Sequence, residues 1–261
     1  MSEFNWGIKS LDVDKTICHT VGPLHIWIQK KGDEIWLGHR HSENLPDQYQ
    51  PSSVPPEDLE WSRWALKKEQ NELKLAPVFQ DLPIVISSEF PLRVTPNNKI
   101  QIFTRVPIWV RISDKSGDYI LTEIPTVSLS RTWFGTPLEG ELCYWSTTKA
   151  RRSLAEAEQK PHLVNCPIKI NNRADQDLDF VKFCYRVERL SIYHSKNELW
   201  AGETNIVYHG EEQLSDINMT GKLPEGVKKS ELLSKPRKEV SQSLATRTFK
   251  KIIDETPFLG R

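Results

Sequence analysis

Residues 24–39 carry the pattern that most constrains the fold. Leu24, Ile26 and Ile28 alternate with His25, Trp27 and Gln29, and after Lys31-Gly32 come Ile35 and Leu37 around Trp36. A period of two on either side of a glycine-containing turn specifies a β-hairpin, because a helix would scatter these aliphatics around its circumference. With Lys31 and Gly32 as the loop, Lys30 pairs with Asp33, Ile28 with Ile35, Trp27 with Trp36 and Ile26 with Leu37. Each pair then matches in chemistry, and a one-residue slip would turn every aliphatic to the wrong face. The tryptophans fall opposite the aliphatics. The hairpin is therefore buried on both faces, or its Trp pair is a platform for a carbohydrate or protein partner.

The same alternation returns along the chain. Residues 84–86 are a short apolar run, and residues 91–96 form a proline-bounded strand suited to a sheet edge. Asn97-Asn98 reads as a turn. Ile100 and Ile102, then Ile108, Val110 and Ile112, read as strands, followed by a hairpin turn over 113–117 and a return strand over 119–124. Further strands are predicted at 168–170, 178–185, 190–194 and 198–208. Lys196-Asn197 is a two-residue hairpin loop that pairs Tyr193 with Trp200 and Ile192 with Ala201. Residues 42–58 are polar and hold Pro46, Pro51, Pro55 and Pro56. They read as a loop long enough to wrap the surface or act as a flap. Trp61 and Trp64 suit a short helix or an irregular strand.

A chain of 261 residues has room for one large all-β domain or two smaller ones. The expected fold is an all-β, antiparallel β-sandwich, or two packed β-subdomains, with a short helix and a basic C-terminal tail. The helix is predicted from the capping-box spacing Ser153-x-x-Glu156 and is ended by Pro161. The expected domains are a hairpin region over 1–80, a sandwich core over 81–215 and a tail over 216–261. From residue 222 onward the chain holds ten Lys/Arg against five Asp/Glu. That tail is expected to be mostly mobile, with helix over 240–253.

Lys+Arg and Asp+Glu are equal at 35 each, so the chain as a whole has no charge bias toward a polyanionic partner. The N-terminus lacks the basic and apolar regions of a signal peptide, and no window is long and apolar enough for a spanning helix. Cys18, Cys143, Cys166 and Cys184 are far apart with no Cys-x-x-Cys. They read as buried, reduced thiols of a cytoplasmic protein, with a disulfide pair or a zinc site as the alternative.

Residues 130–145 put Trp133, Phe134, Tyr144 and Trp145 beside Gly135, Pro137 and Gly140. They read as a strand ending near Phe134, a Gly/Pro turn over 135–140 and a second strand from Glu141. The run Phe134, Gly135, Pro137, Gly140, Cys143, Tyr144, Trp145 resembles domain-of-unknown-function family 432, an uncharacterised archaeal and bacterial group. The proline-bounded strand at 91–96, Pro107-Ile108, the strand from Ile170 to Asn172 and the Ile192-Tyr193 hairpin share the resemblance, which covers residues 80–210. It implies an all-β fold, no established activity and mechanosensitive channels as neighbours.

No phosphate-binding loop, dinucleotide fingerprint, Gly-x-Ser-x-Gly or His-Glu-x-x-His motif occurs. His39 and His41 share a strand face and, with His19 or Glu43, are a metal set to weigh against plain surface histidines. Glu139 and Glu141 flank Gly140 as an acid/base pair or as solvated turn residues. Arg131, Arg151 and Arg152 are expected to converge beside Trp133 and Trp145. With Glu141 they make a candidate site for a phosphate, carboxylate or nucleobase through bidentate bonds and stacking. The competing reading is tryptophans in the core with arginines laid over them. No cofactor and no metal is assigned.

Three functions remain. The first is a non-catalytic cytoplasmic sandwich, rich in tryptophan, that binds a protein or small anionic ligand. The second is a hydrolase of a phosphorylated or sugar substrate using Arg131, Glu141 and Arg151. The third is a membrane or nucleic-acid accessory acting through the tail.

Overall fold

The structure is a computed structural model, and it describes residues 6–45, 52–65, 71–154, 160–211, 213–224, 227, 231–238, 244–246 and 248–250. The described chain is mostly strand. It begins β1 (Gly7–Ser10), β2 (Thr16–Val21), β3 (Leu24–Lys31), β4 (Glu34–His41), β5 (Ser62–Ala65), β6 (Glu72–Val78) and β7 (Ile84–Val94). It continues through β8 (Lys99–Pro107), β9 (Trp109–Asp114), β10 (Ile120–Pro125), β11 (Arg131–Gly135), β12 (Gly140–Ala150), β13 (Leu163–Asn172) and β14 (Leu178–Tyr185). The last strands are β15 (Ile192–Ser195), β16 (Glu198–Ala201), β17 (Thr204–Tyr208), β18 (Ser215–Met219), β19 (Glu231–Ser234), β20 (Leu244–Thr246) and β21 (Phe249–Lys250). Two 3-10 turns, Ser42–Asn44 and Val187–Arg189, are the helical segments among the described residues. The fold is all-β. The helix predicted at the Ser153 capping box lies over residues 155–159, outside the described residues.

Two compact units divide the chain: residues 1–78, 107–128 and 160–162 in one, and 79–106, 129–159 and 163–261 in the other. The first holds the sheets β1-β6-β9-β10 and β2-β3-β4-β5. Leu24, Ile26, Ile28, Ile35 and Leu37 from one sheet and Leu73, Leu75, Val110, Ile112 and Ile124 from the other are buried. The His41 Nε2–Pro125 carbonyl hydrogen bond, 2.8 Å, ties the two sheets together.

The 24–39 hairpin forms, but in a different register. Ile28 pairs with Leu37, Trp27 with Gly38 and Lys31 with Glu34, so the loop is Gly32-Asp33. Gly32 has φ +59 while Lys31 and Asp33 stay out of the left-handed region. A loop with one left-handed residue at its first position suits type II′, whereas a Lys31-Gly32 loop of type I′ would also force Lys31 to positive φ. The slip is two residues on one strand, so the faces are kept. Trp27 and Trp36 are not partners. Trp27 is buried and donates through Nε1 to the Ser52 carbonyl at 2.9 Å. Trp36 lies between Lys31 and Arg63 at the sheet rim, with their cationic groups 3.9 and 4.8 Å from its ring centroid. Trp64 is on strand β5, which pairs with β4.

The second unit holds the sheets β11-β12-β7-β14-β21 and β19-β15-β16-β13-β17-β18-β20, with β8 also on β13. These sheets face one another. Tyr185 Oη meets Thr204 Oγ1 at 3.0 Å, and Phe249 packs on Tyr208 at 5.9 Å. Among the described residues most pairings are antiparallel, as expected, and three are parallel. β12 runs parallel to β7, and β13 runs parallel to both β16 and β17. Parallel neighbours need long crossovers, which local turn signals do not reveal. The Lys196-Asn197 hairpin has the expected register, Tyr193 on Trp200 and Ile192 on Ala201, with both loop residues at positive φ. The described part of the tail is strand rather than helix, since β20 and β21 join one sheet each.

Candidate functional site

The β11–β12 hairpin has two unlike faces. Arg131 pairs with Tyr144, Trp133 with Leu142, Phe134 with Glu141 and Gly135 with Gly140. Alternation puts Arg131, Trp133, Leu142 and Tyr144 on one face and Phe134, Glu141, Cys143 and Trp145 on the other. The loop closes tightly, with the Thr136 N–H donating to the Glu139 carbonyl at 3.1 Å and the Glu139 N–H to Thr136 Oγ1 at 3.0 Å. Gly135 has φ +119, and a Cβ there would meet the Glu139 carbonyl oxygen at 2.4 Å, so only glycine fits.

On the first face Trp133 is 53% exposed, Leu142 42% and the loop residue Leu138 97%. The Trp133 indole lies over Gly140 and donates through Nε1 to the Thr136 carbonyl at 2.9 Å. An apolar cross-strand pair therefore stands in solvent beside a turn that presents an exposed leucine. Among the described residues β11 is also the end strand of its sheet. The Trp145 N–H donates to the Ser130 carbonyl at 2.8 Å, which fixes the phase of the ladder. Ser130, Thr132 and Phe134 turn their backbone groups to β12, and Arg131, Trp133 and Gly135 turn theirs to the open edge.

The second face is closed. Val85, Phe134, Cys143 and Cys184 form a buried cluster against which Trp145 packs. Arg186 donates to Glu141 Oε1, and Cys184 Sγ reaches the same oxygen at 3.7 Å. Cys143 and Cys184 Sγ are 3.7 Å apart, and both thiols are free. Contact with Cys143, then burial, raises the Cys184 thiol well above its ordinary range, so it is not a thiolate nucleophile at neutral pH. Lys182 Nζ lies 5.2 Å from the Trp145 ring centroid.

The predicted site residues thus separate. Glu141 and Trp145 share the closed face, and Arg131 and Trp133 lie on the opposite one. Arg151 pairs with Glu89 at 2.8 Å, and Arg152 is exposed beyond the end of β12. The β7 partners of Tyr144 and Ala150 are Ile84 and Ser88. Four residues of strand are about 13 Å, so Arg131 and Arg151 do not converge. Arg186 and Cys184 were missed. Their signal was the alternation Lys182, Cys184, Arg186 against Phe183 and Tyr185, which places Lys182 and Cys184 on one face of β14 with Arg186 just past its end.

Elsewhere in this unit Glu188 is buried, which raises its carboxyl above the ordinary range. Lys238 Nζ and Arg189 Nε each lie 3.8 Å from its Oε1. Its carbonyl accepts the Arg237 and Lys238 N–H groups at 2.9 and 3.0 Å, fixing part of the basic tail. In the other unit His39 and His41 have ring centroids 6.2 Å apart. Among the described residues no group of three or more His, Cys, Asp and Glu is placed to hold a metal.

A family model described as protein of unknown function (DUF432) matches residues 5–254. The chain belongs to the DUF432 family. The match extends well beyond the 80–210 stretch that carries the resemblance in the sequence. It takes in the 24–39 hairpin and most of the basic tail, so both units are DUF432 structure. No curated protein and no solved structure matches the chain.

Proposed function

We propose that this DUF432 protein is a non-catalytic binding module whose β11–β12 hairpin takes an extended segment of a protein partner. The observation that carries the reading is the exposed Trp133–Leu142 pair with exposed Leu138, on a hairpin whose β11 is the end strand of its sheet among the described residues. Exposed apolar groups beside unpaired strand edges suit strand addition, in which the backbone supplies affinity and the side chains supply anchors. Free thiols in all four cysteines favour a reducing, cytoplasmic setting. Among the described residues no helix is long and apolar enough to cross a membrane.

The hydrolase reading has less support, because Arg131 and Arg151 stand apart and Glu141 is engaged by Arg186. The accessory reading has less too, since Arg237 and Lys238 bind Glu188 and Phe79 within the unit. The test is selection from a random peptide display library on protein immobilised at low density, so that copies are isolated. Wild-type protein should enrich peptides with alternating apolar residues, and Trp133→Asp should not. Equal enrichment by both would overturn the reading.

A further inference from the structure

The open edge of β11 is self-complementary. Its five residues, Arg131–Gly135, are centred on Trp133, and the outward backbone groups belong to Arg131, Trp133 and Gly135. A twofold axis through Trp133 lays a second β11 antiparallel to the first. Trp133 then faces Trp133 of the second copy as a hydrogen-bonded pair, and Arg131 faces Gly135 on either side. Every outward donor and acceptor in the strand meets a partner, with no register slip to choose between.

The side chains agree with this arrangement. The two guanidinium groups are kept at opposite ends of the ribbon, each beside the glycine that precedes the Glu139 turn, so no like charges oppose one another. The exposed Trp133 and Leu142 lie on one face, and Trp133 meets its symmetry mate across the axis with Leu142 one strand further out on each side. Sheet edges that stay monomeric are usually guarded by lysine, proline or an inward charge. Within β11 the sole charged residue is Arg131, and there is no proline.

We infer that the protein forms a symmetric dimer by edge-to-edge pairing of β11, making one continuous sheet from two copies. This rests on the hairpin being a docking surface and names a second copy as its occupant. The interface is isologous and closes on itself, so it stops at two.

The test is sedimentation velocity of the full chain over a wide concentration range, with two variants and a control. The wild type should show a reversible monomer–dimer equilibrium. Trp133→Asp should lower the association constant at least tenfold. Arg131→Pro removes one outward N–H without touching Trp133 or the ladder to β12, and should do the same while circular dichroism stays that of the wild type. Leu232→Asp, at an exposed leucine on β19, should leave the dimer intact. A dimer that persists in both edge variants overturns the edge assignment. A wild type that is monomeric throughout overturns the dimer, and if it still selects peptides through Trp133 the binding-module reading stands alone.

Discussion

Trp133 lies directly on Gly140: a Cβ at position 140 would come within 2.3 Å of Trp133 Nε1 and 2.6 Å of its Cε2. The bare glycine is what lets the indole fold over the hairpin and reach the Thr136 carbonyl. Gly140→Ala should therefore lift the ring off the turn. We expect a red-shifted Trp emission, loss of the peptide-binding or dimer signal, and a stability loss of about 1–3 kcal/mol from overpacking. Urea denaturation with parallel fluorescence checks both. An unchanged spectrum would mean the ring has another resting place.

Glu141 and Arg186 guard the two thiols beneath the hairpin. Arg186 is nearly buried and Glu141 about half-buried, so the pair is neither a surface ornament nor a fully desolvated one. Glu141→Ala removes the carboxylate from the guanidinium and from Cys184 Sγ. The expected cost is about 1–3 kcal/mol. Cys184, now uncovered on one side, should react with an aromatic disulfide reagent several-fold faster than in the wild type. A pair that matters only for charge would change stability without changing thiol kinetics.

Turns were legible in the sequence where the backbone demand is local. Lys196-Asn197 gave its register because two left-handed positions suit a type I′ loop, and the Gly135–Gly140 turn declared itself through glycine and proline. Gly32 was seen, but whether it takes the first or second loop position depends on its own φ, which the residue name does not state. The candidate site was legible only in part. Glu141 and Trp145 share a face by alternation, but their neighbours Cys184 and Arg186 lie about forty residues on, brought in by β7 between them. Nothing local announces a parallel pairing such as β12 with β7, so arginines adjacent in the reading of a turn lie apart along a strand.

Asn172 is the clearest polar clamp in the second unit. It is fully buried, its Nδ2 donates to the Val94 and Gln176 carbonyls at 2.7 and 2.8 Å, and its Oδ1 accepts the Ala174 N–H at 2.9 Å. Three backbone groups lose their partner together if the amide goes. Asn172→Ala should cost about 3 kcal/mol or more, since each orphaned buried group costs about 1–3 kcal/mol. Asn172→Asp should be no better, because a carboxylate cannot donate to either carbonyl. Chemical denaturation of the two variants is the measurement, and a loss below about 1 kcal/mol in both would show that water replaces the clamp.

Acid should loosen the first unit before the second. His19 and His162 are both held near pKa 4 against an ordinary 6.5, by burial first and then by Lys9 and Lys160 respectively. Burial also lowers His25, which lies between Thr20 Oγ1 and Ser42 Oγ. His162 sits against Gly22, in the turn between β2 and β3, and its Nδ1 has no hydrogen-bond partner among the described residues. The sign follows from proton uptake: between pH 6.5 and about 4 the unfolded chain binds protons that the folded unit refuses. The stability these histidines allow is therefore fully present above pH 6.5 and is lost as pH falls toward 4. In the second unit Glu188 works the other way, because its raised pKa makes acid relieve the cost of a buried carboxylate. Hydrogen exchange read by mass spectrometry at pH 7 and pH 5, corrected for intrinsic rates, should show protection lost first in peptides covering β2 to β4. The double substitution His19→Gln with His162→Gln should flatten that dependence. Uniform loss across both units at pH 5 would assign acid sensitivity to the carboxylates instead.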